Sequence, residues 1–107
     1  MSVLKILIPA DASRFQEDKD LAKKIRTEEL LPALAAGTRV ELDFSDVDYA
    51  TQSFIHALVG EALKQHGENV LDRIEFLNCS PQLRNIIELV VNYSLGGFSL
   101  NLEELTI

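Results

Sequence analysis

Ser53 and His56 stand three positions apart within Val40–Leu58, VELDFSDVDYATQSFIHAL, and a helix would bring them onto one face. A hydroxyl beside an imidazole is a minimal nucleophile and base. No G-x-S-x-G elbow surrounds this serine, no oxyanion hole is evident, and 107 residues leave little room for a substrate cleft. Catalysis is therefore not expected. Asp43, Asp46 and Asp48 suggest a magnesium or acid–base cluster, but Asp43 falls on a strand face and the other two in a turn that favours Asp for its backbone geometry. A solvated acidic turn is the expected outcome. His56 and His66 lie ten positions apart on one helix and point in different directions, so they cannot share a metal. The lone Cys79 cannot form an internal disulfide, and no neighbouring cation would activate it; it reads as a small buried residue. Neither G-x-x-x-x-G-K-S/T nor G-x-G-x-x-G occurs, and the pair Gly96-Gly97 fits neither pattern. No cofactor is expected.

The chemistry thus shrinks to a helix start, and the surrounding elements must position it. An apolar fraction of 47% with 25% charged residues is that of one globular domain able to bury a single core. Ten basic and 17 acidic side chains give a net charge of −7, which argues against nucleic acid and anionic membranes and is compatible with a basic protein surface. No apolar run approaches the roughly 20 residues of a membrane span, and MSVLKILIPA reads as a first strand rather than a signal peptide. A cytoplasmic location is the expectation.

Val3 to Pro9 is apolar and strand-prone. Ser13-Arg14-Phe15-Gln16 fits a capping box, opening a helical stretch that runs to Gly37. Pro32 interrupts it, so a kink or restart is expected near Thr27, whose hydroxyl would cap the second piece. Arg39 to Phe44 alternates, with Val40, Leu42 and Phe44 opposed to Glu41 and Asp43. Arg73 to Leu77 does the same, and Lys5 would offset Glu41 and Glu75 across strands. Thr51 to about His66 carries the stripe Ile55, Leu58, Val59, Ala62, Leu63 and ends at Gly67. Ser80 as cap and Pro81 at the first helical position start a third helix, with Leu83, Ile86, Ile87 and Val90 as its buried stripe. Phe98 to Leu102 would add a last strand. The order predicts one α/β domain: a mostly parallel sheet of about four strands with helices packed mainly on one face.

The run VELDFSDVDYATQSFIHALVGEAL resembles the STAS-like family of unknown function, itself similar to the STAS domains of bacterial anti-sigma factor antagonists. A strand ending Leu-Asp-Phe, a short turn, Thr51-Gln52-Ser53-Phe54 opening a helix, and Gly60 further along carry the likeness. It extends from Ser13 to Tyr93 through RIEFLNCSPQLRNII. The resemblance implies a single STAS-like domain that acts as a binding module. Antagonists bind a serine kinase of the histidine-kinase-like ATPase fold, which phosphorylates a serine at the start of the helix after this strand and breaks the complex. The matching position here is Ser53. Antagonists carry Asp-Ser-Ser-Gly around that serine; here the Asp is replaced by Thr51 and the Gly by Phe54, which would crowd a kinase, while Asp46 and Asp48 would repel a phosphoryl group. The Asp-Glu pair that often follows Ser-Phe in the STAS-like family is His56-Ala57.

The expected function is a regulatory, non-enzymatic protein-interaction module. Asp46, Asp48, Tyr49, Thr51, Gln52, Ser53 and Phe54 would form the partner-binding edge, with Tyr49 or Phe54 as apolar anchor and the third-helix start beside them. The alternatives are a partner switch controlled by phosphorylation of Ser53, and a small-molecule-binding domain.

Overall fold

The computed structural model describes residues 2–95. The chain runs through β1 (Val3–Leu7), β2 (Phe15–Gln16), α1 (Lys19–Ile25), α2 (Leu31–Ala35), β3 (Arg39–Asp43), β4 (Tyr49–Ala50), α3 (Gln52–Ile55), α4 (Glu61–His66), β5 (Ile74–Leu77) and α5 (Pro81–Ser94). Strands β1, β3 and β5 form a wholly parallel sheet in that spatial order. The expected fourth strand, Phe98 to Leu102, and the closing pair Gly96-Gly97 lie outside the described residues. Among the described residues the main sheet therefore has three strands, and a second, unanticipated parallel pair joins β2 to β4.

Strand alternation decides which face is covered. Ile6, Val40, Leu42 and Ile74 are buried, with Leu4 and Phe76 packed against them, while Val3, Lys5, Leu7 and Glu75 on the other face are exposed. The helices accordingly cover one face. The register sets Lys5, Glu41 and Glu75 in one row as expected. The ion pairs, however, are diagonal: Lys5 Nζ lies 3.6 Å from Asp43 Oδ2, and Arg39 Nη2 lies 4.0 Å from Glu75 Oε1. No helix among the described residues is long and apolar enough to cross a membrane.

Ser13 does not cap the first helix. That role falls to Asp18, whose Oδ1 accepts from the backbone N–H groups of Asp20 and Leu21, both at 3.1 Å. A carboxylate at this position also complements the helix dipole, which a serine five residues upstream cannot do. Ser13 instead donates to Asp11 in the turn that leads into β2. A six-residue 3₁₀ segment, Glu68–Arg73, also precedes β5, which begins at Ile74.

The helix does not restart near Thr27 but continues, with αR backbone, through a π-helical segment, Arg26–Leu30, in which Leu31 N–H bonds to Arg26 O. The widened turn precedes Pro32, which has no N–H to continue an α ladder. Thr27 caps nothing; its hydroxyl donates to Lys23 O at 2.9 Å. A second π segment, His56–Gly60, interrupts the helix that follows Thr51, with Glu61 N–H bonding to His56 O. A π turn takes up one residue more than an α turn, so a carbonyl within it drops out of the ladder. Arg26 Nη1 donates to Ala57 O at 2.7 Å, joining the two segments across 31 residues of sequence. Gly60 leaves room for its neighbours: a Cβ there would lie 2.8 Å from His56 Cδ2 and 2.9 Å from Ser94 Oγ, so either side chain would have to shift.

Replacing Arg26 by Ala leaves the Ala57 carbonyl without its donor and is expected to cost about 1–2 kcal/mol. Thr27→Ala, which removes only a bond within its own helix, should stay within about 0.5 kcal/mol. Urea denaturation of both variants checks this, and equal effects would remove the bridge from its structural role.

Candidate functional site

The carboxyl ends of the parallel strands carry three loops that side chains stitch together. Ile8 N–H bonds to Asp43 O and Phe44 N–H to Leu77 O, each at 2.9 Å, extending the ladder one residue past the strands. Asp43 closes this end of the sheet. Its Oδ1 accepts from Asn78 Nδ2 and from Ser45 N–H, both at 2.9 Å, and Lys5 approaches the other oxygen. The Asn78 hydrogen bond above all, then the Ser45 N–H, holds this buried carboxyl below the usual carboxylate range. Asn78 supports the turn with φ +60°.

Arg14, with φ +63°, sits over the acidic turn. Its Nε lies 3.0 Å from Asp48 Oδ2, one Nη donates to Ser45 O, and its carbonyl accepts from Asp48 N–H at 2.8 Å. From the third loop, Ser80 Oγ donates to Asp48 O at 2.6 Å while accepting from Leu83 N–H as the cap of α5. Phe15 and Tyr49 stack with ring centroids 5.6 Å apart. Gln16 O accepts from Thr51 N–H at 3.0 Å, so the β2–β4 pair delivers the chain to the helix start in a set direction.

Thr51 is the cap. It has extended backbone, and its Oγ1 accepts from Phe54 N–H at 3.1 Å. Gln52 and Ser53 follow as the first two helical residues, and both are exposed. No described residue hydrogen-bonds the Ser53 hydroxyl or joins it to His56. Phe54 departs from expectation: its side chain is 0% exposed and belongs to the core. It is neither an apolar anchor for a partner nor an obstacle over Ser53. The first turn of the helix faces the sheet, and burying an aromatic ring there outweighs leaving it in water.

Of the residues singled out in the sequence, Asp46, Asp48, Tyr49, Gln52 and Ser53 lie on the surface, Thr51 is half-buried, and Phe54 lies beneath. Tyr49 remains 39% exposed beyond its contact with Phe15, so it is the apolar group this edge presents. Asp43, Asp46 and Asp48 do not converge: Asp43 is tied to Asn78 and Lys5, and Asp48 to Arg14. Among the described residues no three His, Cys, Asp or Glu side chains gather as metal ligands would. Cys79 is half-buried, and burial pushes its thiol up. Arg14, Phe15 and Ser80 complete the site; Arg14 and Phe15 were not among the expected contact residues, and Ser80 entered only as the third-helix start. Ser80's cap signal was readable, but its second bond, to Asp48, spans 32 residues.

A family model described as a STAS-like domain of unknown function (DUF4325) matches residues 22–84. The chain belongs to this family. The match runs from within α1, through β3, the acidic turn and the Thr51 helix, to the start of α5. It therefore includes every residue of the STAS-like helix start, while Arg14, Phe15 and most of α5 fall outside it. Neither the curated proteins nor the solved structures gave a match.

Two outcomes follow from the STAS-like site. Thr51→Ala should cost about 1 kcal/mol through loss of the cap, whereas Ser53→Ala should change stability by no more than about 0.5 kcal/mol; thermal and urea melts of the pair check this. Because the Asp43 carboxyl is depressed in the folded state, its contribution is present above the unfolded value of about 3.9 and is lost as pH falls through the lower folded value. Asp43→Asn should therefore flatten the loss of stability on acidification below about pH 4, measured by denaturation at a series of pH values.

Proposed function

We propose that this STAS-like domain is a non-enzymatic protein-interaction module whose docking edge is the acidic turn Ser45–Tyr49 together with Gln52 and Ser53. The observation that carries this reading is the bracing of that edge. Thr51 caps the helix, Arg14 and Ser80 hold the turn from both sides, and the side chains of Asp46, Tyr49, Gln52 and Ser53 are left facing outward. A surface held in this way loses little conformational freedom on binding. Tyr49 supplies the aromatic contact that interface centres favour. By likeness to anti-sigma factor antagonists, the partner class is a histidine-kinase-like ATPase, and a basic face on that partner would complement Asp46 and Asp48.

A second reading, phosphorylation of Ser53 as a partner switch, is favoured by one observation. Ser53 is an exposed second helical residue whose hydroxyl is not engaged by any described residue. With Phe54 buried, the serine is also open to a kinase.

Affinity capture with the wild-type chain from native lysate should recover a specific ATPase, and Ser53→Asp should weaken recovery at least about tenfold. Capture at background, or capture unchanged by both Ser53→Asp and Tyr49→Ala, would falsify the docking edge. Intact mass after incubation with the captured ATPase and ATP decides the switch: an added phosphate on wild type but not on Ser53→Ala supports it, and no added phosphate rules it out.

A further inference from the structure

Beside the docking edge, an open groove of about 540 Å³ runs between the starts of α1 and α3, the second π segment, α4 and α5. Lys19, His56 and Lys64 line it, with Gln52 and Ser53 at the helix start. Acidic side chains outnumber basic ones by 17 to 10 in this chain, yet none of the described residues lining the groove is acidic. Glu61 stands next to it, its Oε1 4.0 Å from both His56 Nε2 and Lys64 Nζ.

His56 packs over the Gly60 backbone. Its ring lies against Gly60 so closely that a Cβ there would come 2.8 Å from Cδ2. The Ser94 hydroxyl reaches the same point at 2.9 Å and is buried without a hydrogen-bond partner among the described residues. Ser94 and Lys64 also line an adjoining cavity of about 380 Å³. Lys19 forms no ion pair among the described residues, and Lys64 has only its long contact with Glu61.

We propose that this groove binds a small phosphorylated molecule, with Lys19, Lys64 and His56 around the phosphoryl oxygens and the carbon part lying along Ala57 and Val90. A phosphoryl group presents three terminal oxygens, which separated lysine point charges and a ring N–H can approach from different sides. A carboxylate, with two coplanar oxygens, is better matched by an arginine fork, and no arginine lines the groove among the described residues. Glu61 acts as the internal competitor, holding the same two groups while the groove is empty of ligand. This inference does not rest on the docking edge.

The test is titration of the full chain, shown by intact mass to carry no phosphate on Ser53, with glycerol 3-phosphate at constant ionic strength, followed by two-dimensional amide NMR. Saturable shifts at Gln52, Ser53, His56 and Lys64 are expected, with none from glycerol and none from chloride. Lys19→Gln and Lys64→Gln should each weaken binding about two- to fivefold, and Glu61→Gln should strengthen it by a similar factor. Shifts that fail to saturate, that chloride reproduces, or that both lysine variants leave unchanged overturn the proposal. Capture at background by the wild-type chain, with phosphate binding intact, would reject the docking edge alone.

Discussion

Phe54 is held twice, by its backbone and by its side chain, and the arrangement of the site depends on that. Its N–H is bound by Thr51 Oγ1, and its ring is buried completely in the core. The ring is the stronger constraint: burying an aromatic side chain is worth about 2–3 kcal/mol against about 1 kcal/mol for a cap. Together they set both the axis and the rotation of the helix at its first turn. Side chains on successive helical residues diverge by about 100°, so drawing Phe54 and Ile55 inward turns Gln52 and Ser53 outward. The exposure of Ser53 is thus a consequence of its neighbour's burial.

The rest of the carboxyl end of the sheet supports this helix start. The β2–β4 pair is only two residues long on each side, too short to contribute much by itself, but it brings Gln16 O to Thr51 N–H. Arg14 and Ser80 approach the acidic turn from opposite sides. Their contacts are partly exposed, and exposed ion pairs are individually weak. Their value lies in number and direction: each removes a way for the turn Ser45–Tyr49 to move. Asp43 does the same beneath the turn, from a buried position where its hydrogen bonds to Asn78 and Ser45 are screened less by solvent.

On the helical side, the two π segments play the corresponding part. Each displaces the following residues by one position relative to an unbroken α-helix, and both lie where the helical stretch 19–35 meets the stretch 52–66. In the second, the displacement brings His56 over Gly60 and leaves Ala57 O to Arg26. His56 and Ala57 of this second segment line the groove beside Ser53. Gly60 belongs to the matched STAS-like region, and its lack of a side chain gives that position a steric reason.

Much of this was readable from the chain. Alternation in Arg39 to Phe44 and the apolar stripe from Ile55 to Leu63 identified a covered sheet face and a core helix, because both depend only on neighbours within a few residues. Thr51 and Ser80 as caps were readable for the same reason, whereas the restart expected near Thr27 is instead a π segment within a continuous helix. The capping box at Ser13 was misleading: the local pattern was present, but the strand pairing of Phe15 with Tyr49 claimed those residues for a sheet. The burial of Phe54 was not readable, since whether a first-turn side chain faces inward depends on how the helix lies on the sheet. The partners of Arg14, Arg26 and Ser80 stand 31 to 34 residues away, and the cationic groove gathers residues from three separate helical stretches. The sequence by itself determined the elements, the caps and the STAS-like frame, through short-range periodicity and hydrogen bonding. Only the tertiary structure decided which way Ser53 and Phe54 face and which charges meet, because those depend on contacts between segments that are distant along the chain.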